Sequence, residues 1–360
     1  TLHPGRSEPN VAALPQPMHS VASQVYGWWQ QRGEAEEWRQ YLGTSYIGHP
    51  CERYLWLSFR WAARPKFDGR MYRLFNRGHR EESTVIEELR GIGCEVSDTQ
   101  PNGKQWGFSD LGGHFRGHMD GAVTKTPYAE KTWAVLEVKT FNAKTFKELQ
   151  AKGVKVAKPM HYAQMQIYME QMQLERAMYY AVCKDDDQIH TEWLHFNPDE
   201  VQPLMNRAKR VITSVEPPLR LSNDASWFEC KWCDMHSICH GTAAPIAGCR
   251  TCAHATAELD GDGRWSCADN QTAVLTHNGQ RQGCGSHRYI PILLEKFAEQ
   301  KTVEDGRVVY RNTITGTEFV NGTDHPDYTS AEIHAAEDKK APGDPGAAEF
   351  REAFTARMAA

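Results

Sequence analysis

The sequence lacks any apolar run long enough to span a bilayer, although 40% of its 360 residues are hydrophobic. Residues 1–17 are rich in proline and lack the basic head and apolar core of a secretory signal. There is also no internal repeat, which excludes a repeat array. We therefore expect a soluble, cytoplasmic protein that does not bind membranes.

An excess of basic residues is missing too. The chain has 41 lysine and arginine residues against 46 acidic ones, a net charge of −5, so overall charge does not indicate a nucleic-acid binder. Two local segments differ from this average: residues 60–80 carry seven basic side chains against one acid, and residues 139–158 carry six lysines against one glutamate. Both segments suit phosphate contacts, although a lysine-rich loop is more often simply solvated.

Cysteine, by contrast, is plentiful. Ten cysteines in a chain without a visible signal favour metal ligation over disulfides. Eight of them fall into two sets of four, and we expect the remaining two, Cys94 and Cys183, in the core.

Residues 117–139 contain the most informative acids. The run from Trp133 to Lys139 alternates as a strand does, so Glu137 and Lys139 project from one sheet face. Asp120 ends a strand-like run, His114 to Met119, and would lie beside them if the two strands pair. Two carboxylates and a lysine suit a divalent metal and a phosphate. The alternative is a hairpin with a solvated Glu and Lys on its wet face.

Residues 71–90 predict an amphipathic helix that bears another acid. At 100° per residue, Glu82 lies within the apolar stripe, Glu81 near its edge and Glu87 opposite. An acid on a core-facing stripe is costly unless it is paired, and a shared metal would pair it. The alternative is a glutamate that bends out to water. The stripe comprises Met71, Leu74, Phe75, Gly78, Val85, Ile86 and Leu89.

A second helix is predicted from Pro159. His161, Gln164, Met165, Tyr168 and Met172 form one stripe on it, and Gln164 and Tyr168 can point at the same spot. Other predicted elements are a helical region at 18–41, a helix carrying Cys51 and Arg53, strands at 93–96 and 105–111, a hairpin of 177–183 with 188–196, a helix at 198–215, a helix at 291–300, and a hairpin turning near 315–316.

The first cysteine set is Cys230, Cys233 and Cys239 in one short loop, for which Cys51 is the nearest unassigned fourth ligand. Four such thiolates suit an iron–sulfur cluster or zinc, and a disulfide is the weaker alternative.

The second cysteine set lies in a segment rich in glycine and aspartate, with little apolar content to hold it together. A structural zinc ion is therefore the natural interpretation, with His254 and His287 as substitute ligands. The set consists of Cys249, Cys252, Cys267 and Cys284.

These motifs, in this order and spacing, resemble the PD-(D/E)XK nucleases of the RecB and phage-exonuclease type over about residues 45–240. The resemblance implies an α/β fold with a central mixed sheet flanked by helices, to which this chain adds a small cysteine-rich metal module. The RecB branch usually has a histidine on the first helix, whereas this chain has Glu82, as the phage branch does. The first cysteine set looks like the iron–sulfur clamp of the CRISPR-adaptation nuclease and AddB.

The resemblance also implies roles for single residues. Glu82, Asp120, Glu137 and the Val138 carbonyl would bind Mg²⁺ or Mn²⁺, Lys139 would position or activate water, and Gln164 and Tyr168 would orient the DNA or the lysine. Cys51, Cys230, Cys233 and Cys239 would hold a 4Fe–4S cluster. Arg53, Arg77, Lys144 and Lys147 are candidate DNA contacts.

The function implied is a metal-dependent exonuclease that resects single- or double-stranded ends of linear DNA, with 5′ to 3′ polarity, in phage or prophage recombination. A single-strand annealing protein is a candidate partner, and a bacterial host cytoplasm is the implied location. Two other classes stay open: a non-catalytic DNA or protein adaptor built on the metal modules, and a redox iron–sulfur protein.

The predicted organisation has four parts. Residues 1–17 form a disordered N-terminus, 18–240 the nuclease domain, 241–290 the zinc module, and 291–360 a helix, a hairpin and a flexible tail that ends in a short helix.

Overall fold

The computed structural model describes residues 20–241, 243–271, 274–296, 298–313, 315–323 and 326–335. The predicted disorder at 1–17 and the predicted tail beyond residue 335 lie outside these residues. Contacts divide the chain into two compact units, one from Thr1–Glu37 with Lys66–His79 and the other from Trp38–Pro65 with Arg80–Ala360. The helix Gly69–Gly91 contributes residues to both units.

The smaller unit contains helix α1 (Val21–Ala35) and the first part of α3 (Gly69–Gly91). The side chain of Ser20 caps α1 by accepting the amide of Ser23 at 3.2 Å. Gly33 lies directly against the Tyr72 ring, where no Cβ would fit. The glycine therefore allows α1 to pack closely on α3.

The larger unit holds the remaining elements. Its helices are α2 (Glu52–Phe59), α4 (Ala143–Ala157), α5 (Pro159–Met172), α6 (Pro198–Thr213), α7 (Phe228–Lys231), α8 (His236–Cys239), α9 (His277–Gln282) and α10 (Ser330–Ala335). Its strands are β1 (Leu42–Gly43), β2 (Glu95–Ser97), β3 (Gly107–Asp110), β4 (Phe115–His118), β5 (Gly121–Thr124), β6 (Ala134–Phe141), β7 (Arg176–Cys183), β8 (Ile189–His195), β9 (Ala255–Ala257), β10 (Trp265–Cys267), β11 (Ala298–Glu304), β12 (Arg307–Asn312) and β13 (Glu318–Asn321).

A five-stranded mixed sheet organises this unit, with the order β2-β5-β6-β7-β8. Strands β6 and β7 are parallel and are joined through α4 and α5, while the other pairs are antiparallel. One apolar cluster contains Val135 with Met165 and Tyr168 of α5. Another contains Leu136 with Val85 of α3. Strand β6 is therefore buried on both faces, as a central strand of an α/β sheet is.

The pairing around Asp120 differs from the sequence prediction. Strand β4, the predicted Asp120 strand, belongs to a separate three-stranded sheet of order β1-β4-β3. It is β5, which begins just after Asp120, that pairs with β6, placing Gly121 opposite Leu136. Asp120 thus lies between β4 of one sheet and β5 of the other, and its side chain contacts the backbone of β6.

The apolar stripe predicted for α3 is buried only at its C-terminal end. Val85, Ile86 and Leu89 are in the core, whereas Phe75 is 41% exposed. A strictly periodic pattern cannot show which turns of a long helix are covered.

Several other predicted elements are confirmed, including α5, α6 and the hairpin of β7 with β8. The predicted helix at 291–300 is wrong. Only a 3₁₀ turn, Pro291–Leu294, forms there, and β11 follows from Ala298 because that segment pairs with β12. The hairpin predicted near 315–316 is confirmed as β12 with β13. Within the described residues, no helix combines the length and apolar character needed to cross a membrane.

Candidate active site

Strand β6 carries two predicted site residues on one face. Glu137 and Lys139 are two positions apart, so both project from the same side of the strand. In the parallel pairing with β7, Glu137 lies opposite Tyr179 and Lys139 opposite Ala181. The face of β6 that carries Glu137 and Lys139 therefore continues onto β7.

Asp120 is joined to this face through the backbone of β6. The amide of Val138 donates a hydrogen bond to Oδ2 of Asp120 at 2.8 Å. The same oxygen lies 3.8 Å from Nζ of Lys139, which also forms an ion pair with Glu137. The structure thus brings Asp120, Glu137 and Lys139 into one cluster.

Glu137 is the most buried acid of the cluster, with a side chain that is 0% exposed. Its pKa is raised to about 7: burial is the largest cause, the charge of Lys139 opposes it, and the charges of Asp120 and Glu82 act in the same direction as burial. Apart from the ion pair with Lys139, neither carboxylate oxygen has a hydrogen-bond partner among the described residues. Carboxylate oxygens left in this state are suitable ligands for a hard divalent cation.

Lys139 lies in a strongly anionic setting. Burial acts to lower its pKa, but the charges of Glu137 and Asp120 outweigh it and hold the pKa above the ordinary value. Its Nζ also donates to the Val138 carbonyl at 3.1 Å. The Val138 carbonyl, an expected metal ligand, therefore also accepts a hydrogen bond from the lysine.

Glu82 of α3 is close enough to this cluster to act on it electrostatically. Its charge contributes to raising the pKa values of both Glu137 and Lys139. Glu81 and Glu82 are both half-buried. The neighbouring Val85 is completely buried, which fixes the orientation of this part of the helix.

Helix α5 contributes Gln164 and Tyr168, which are in direct contact. Nε2 of Gln164 donates to the Tyr168 hydroxyl at 3.2 Å, and that hydroxyl donates to the His118 carbonyl at 2.6 Å. Gly117 lies against the Tyr168 ring, where an added Cβ would come within 2.6 Å. The pair therefore positions the segment that leads into Asp120.

One residue near the site was not assigned a role from sequence. His161, a further member of the α5 stripe, lies with its Nδ1 2.7 Å from the Tyr179 hydroxyl. Tyr179 is the β7 neighbour of Glu137. The spacing of His161 three residues before Gln164 is the signal that could have included it.

The four candidate DNA contacts differ in how deeply their side chains are buried. Arg53 is 7% exposed and donates to the Pro218 carbonyl at 3.3 Å and to Glu295 at 3.0 Å, so its guanidinium is engaged inside the protein and its role as a DNA contact stays a prediction. An arginine can equally well tie loops together from inside. Lys144 and Lys147 on α4 are exposed, and Arg77 on α3 is half-buried.

Cys51 and the three cysteines of the 230–239 loop line one cavity, together with His49 and His236. Cys51 precedes α2, where its Sγ accepts the amide of Tyr54 at 3.4 Å. Burial raises the pKa of Cys233 to about 11, and the charges of Cys51 and Cys239 act in the same direction. The first set therefore converges although its members are far apart in sequence.

The second set converges as well. Cys249, Cys252, Cys267 and Cys284 line one cavity that also includes His254 and His287. Burial raises the pKa of Cys249 to about 11, and the other three cysteines add to the shift.

The cysteines of each set line a common cavity, but they are not arranged as the ligands of a bound metal ion. In the part of the chain that the structure describes, no group of three or more histidine, cysteine, aspartate or glutamate side chains stands in the arrangement of a formed metal centre.

Comparison with protein families finds no matching family model, and no curated protein matches the sequence. Among solved structures, SSO0001 aligns with a TM-score of 0.39 and 15% identity, over 62% of this chain and 98% of its own.

The alkaline exonuclease LHK-Exo from Laribacter hongkongensis aligns with a TM-score of 0.34 and 14% identity, over 52% of this chain and 90% of its own. Its complex with dAMP gives a TM-score of 0.36 at 14% identity and the same coverage. These similarities are too distant to bear on function, which must be inferred from the site itself.

Proposed function

We propose that this protein is a metal-dependent DNA nuclease that acts at the ends of linear DNA. The observation that carries the proposal is the state of Glu137, a fully buried carboxylate with two oxygens short of hydrogen bonds, beside Asp120 and Lys139. A stable fold does not need an acid there. A divalent ion would provide the missing interactions.

Asp120, Glu137 and Glu82 would hold Mg²⁺ or Mn²⁺, with the Val138 carbonyl as a further oxygen. Bound there, the ion would supply Lewis-acid stabilisation of the charged oxygens of a scissile phosphate. Lys139 remains protonated at neutral pH, so it would orient a water molecule or a phosphate oxygen rather than remove a proton. Gln164 and Tyr168 would keep the Asp120 segment in register with β6.

The two cysteine sets would be structural in this protein. We assign a 4Fe–4S cluster to Cys51, Cys230, Cys233 and Cys239, and zinc to Cys249, Cys252, Cys267 and Cys284. Both assignments rest on the two cavities that the cysteines line and on the resemblance of the first set to iron–sulfur nucleases.

The test is degradation of linear single- and double-stranded DNA labelled at either end, in Mg²⁺, in Mn²⁺ and in EDTA. Labels at the two ends also report polarity. We expect degradation only with metal, and its loss in Glu137→Gln. The control is Glu148→Gln on α4, an exposed acid paired with Lys152. Full activity in EDTA, or in folded Glu137→Gln protein, would show that the assignment is wrong.

A further inference from the structure

A group of flat and basic side chains surrounds strands β1 and β4 and has no role in the site described above. It consists of Arg39, Tyr41, Tyr46, Arg116 and His118, which we call the ring surface. Arg39, Tyr46 and His118 are exposed, and the other two are half-buried. Tyr46 is 41% exposed, so a large part of its ring is open to a ligand.

The members of the ring surface contact one another in a continuous series. The Arg39 guanidinium lies 5.3 Å from the centroid of the Tyr46 ring and 5.8 Å from that of Tyr41. The Arg116 guanidinium lies 5.7 Å from the Tyr41 centroid. The rings of Tyr41 and His118 follow, with centroids 6.5 Å apart. The series therefore alternates aromatic rings with positive charge.

The backbone beneath the ring surface is fixed. Strand β1 pairs in parallel with β4, which places Gly43 opposite Arg116. The Thr44 hydroxyl donates to the Arg116 carbonyl at 2.9 Å. A Cβ at Gly43 would not fit beside the Arg39 guanidinium, so the glycine lets Arg39 fold back over β1. The rings are thus held in place before any ligand binds.

The ring surface adjoins the candidate metal site. His118 is two residues before Asp120, so the Cα atoms of the two residues are at most ~7 Å apart. The His118 carbonyl also accepts the hydroxyl of Tyr168 at 2.6 Å. A polymer with one phosphate at Asp120 and Glu137 would therefore have its neighbouring units within reach of these rings.

The charge of Arg39 is available to such a polymer. Its guanidinium donates to the Ser45 hydroxyl at 3.3 Å, and it forms no ion pair with a carboxylate in the part of the chain that the structure describes. Arg116 differs, because it pairs with Asp262, whose side chain is 86% exposed. A guanidinium without a carboxylate suits a phosphate, and aromatic rings beside it suit the flat faces of bases.

The state of the bases follows from the rings. In a duplex each base is stacked between its neighbours, so side chains can stack only on bases of an unpaired strand. An amphipathic protein helix fits less well, because it would need a continuous apolar groove, whereas guanidinium groups interrupt the rings here.

We propose that the ring surface binds the bases of single-stranded DNA whose scissile phosphate lies at Asp120 and Glu137. This inference rests on the proposed nuclease function and adds the strandedness of the substrate: the protein acts on unpaired ends and not on an intact duplex end.

The experiment measures binding of a fluorescent oligothymidylate to the full-length protein by anisotropy, in EDTA so that DNA is not degraded. We expect Tyr46→Leu, which keeps apolar bulk but has no aromatic face, to weaken binding by ~5- to 150-fold. Tyr46→Phe should bind as wild type does. The matched control is Tyr128→Leu, a 56% exposed tyrosine whose ring contacts Trp193, and its affinity should be unchanged.

A second oligonucleotide of the same length and charge, with abasic residues in place of thymidines, separates bases from phosphates. Wild type should bind it more weakly than oligothymidylate, and Tyr46→Leu should show less of this preference because the ring that reads the bases is gone. Equal affinity of wild type for the two oligonucleotides would overturn the proposal. So would a blunt DNA hairpin that binds as tightly as oligothymidylate at the same salt concentration.

Arg39→Gln tests the phosphate contact. It should reduce the slope of log affinity against log salt by ~0.7, the value for one phosphate of a single strand. Urea denaturation shows whether each variant is folded. A loss in folded Tyr46→Phe as large as that in Tyr46→Leu would overturn the stacking role, because Phe keeps the ring. Unchanged binding in folded Tyr46→Leu would overturn it as well and leave the ring surface to a protein partner.

The two proposals fail in different ways. Single-strand binding that depends on Tyr46, without degradation in Mg²⁺ or Mn²⁺, would overturn the nuclease proposal and retain the binding surface. Metal-dependent degradation at equal rates by wild type and Tyr46→Leu, with equal affinity for oligothymidylate, would overturn the ring surface and leave the nuclease proposal intact.

Discussion

The amide of Val138 donates its hydrogen bond to the carboxylate of Asp120, at 2.8 Å, across the junction between two sheets. This bond replaces part of the strand pairing that the chain cannot make where β4 ends and β5 begins. The same Asp120 oxygen lies 3.8 Å from Lys139. The Asp120 carboxylate therefore has two roles: it accepts a backbone hydrogen bond, and it adds a negative charge near Lys139. Substitutions of Asp120 can remove the charge with or without the hydrogen bond.

We expect Asp120→Asn to keep the fold and lose activity. The asparagine carbonyl can still accept the Val138 amide, but the charge is gone. Asp120→Ala should lose activity too, and should also lower the free energy of unfolding by about 1–3 kcal/mol, because a buried amide is left unpaired. Chemical denaturation and DNA degradation, measured on both variants, check this. If Asp120→Asn remained active, the charge of Asp120 would not be needed for activity.

Glu82 and Glu81 provide a test of the register of α3. Glu82 acts on Glu137 and Lys139, so Glu82→Gln should weaken Mn²⁺ binding and lower activity by at least ~10-fold. Glu81→Gln, one position along the same helix, is the matched control and should differ little from wild type. Mn²⁺ binding is measured by electron paramagnetic resonance. The opposite ranking of the two variants would mean that Glu81 is the helix ligand.

Much of the geometry of the candidate site could be predicted from sequence because strand alternation is local. The shared face of Glu137 and Lys139 needs only a period of two, and the contact of Gln164 with Tyr168 needs only a helical turn. The sheet to which β4 belongs could not be predicted, since pairing partners are chosen by the whole fold. The strand β11 could not be predicted for the same reason. The 291–300 segment has a helical pattern, but β11 begins within it because it pairs with β12.

Arg53 illustrates a different limit. Its positive charge makes Arg53 a candidate phosphate contact, whereas its burial depends on Pro218 and Glu295, far away in sequence. Arg60 and Arg250 are 3% and 1% exposed, and their burial could not be predicted from the sequence for the same reason. Charge is visible in a sequence, but the depth at which it is buried is not.

The difference in burial between Arg53 and the exposed lysines Lys144 and Lys147 gives a prediction about DNA binding. Lys144→Gln with Lys147→Gln should weaken DNA binding and reduce the slope of log affinity against log salt by ~1 for each phosphate that is no longer neutralised. Arg53→Met should leave that slope unchanged and instead lower the free energy of unfolding by about 1–3 kcal/mol. Fluorescence anisotropy at several salt concentrations and urea denaturation distinguish the two effects. A reduced salt slope in Arg53→Met would show that Arg53 contacts DNA despite its burial.

The two cysteine sets should bind different metals. Protein purified without oxygen should be brown, with broad absorbance near ~400 nm from an iron–sulfur cluster. Cys233→Ala should lose the colour and melt at a lower temperature. Cys252→Ala should keep the colour and lose zinc. Elemental analysis of both variants and wild type measures the outcome, and two zinc ions with no iron in the wild type would contradict the cluster assignment.

His114 should make stability depend on pH. It is completely buried, and its Nε2 donates to the carbonyls of Glu258 at 3.0 Å and Arg264 at 3.1 Å, which ties β4 to the segment around β9 and β10. Burial lowers its pKa below the ordinary value of 6.5. The unfolded chain therefore binds a proton more readily than the folded protein does, so the free energy of unfolding should fall as the pH drops below about 6.5.

His114→Gln keeps a donor for the two carbonyls and removes the titration. We expect this variant to lose less stability than wild type between pH 6.5 and 5, by at most about 1.4 kcal/mol per pH unit, the limit for one proton. The matched control is His195→Gln at an exposed position on β8. Urea denaturation at each pH gives the slopes. If His114→Gln followed the wild-type slope, proton exclusion at His114 would not contribute to acid sensitivity, and the other buried histidines would have to account for it.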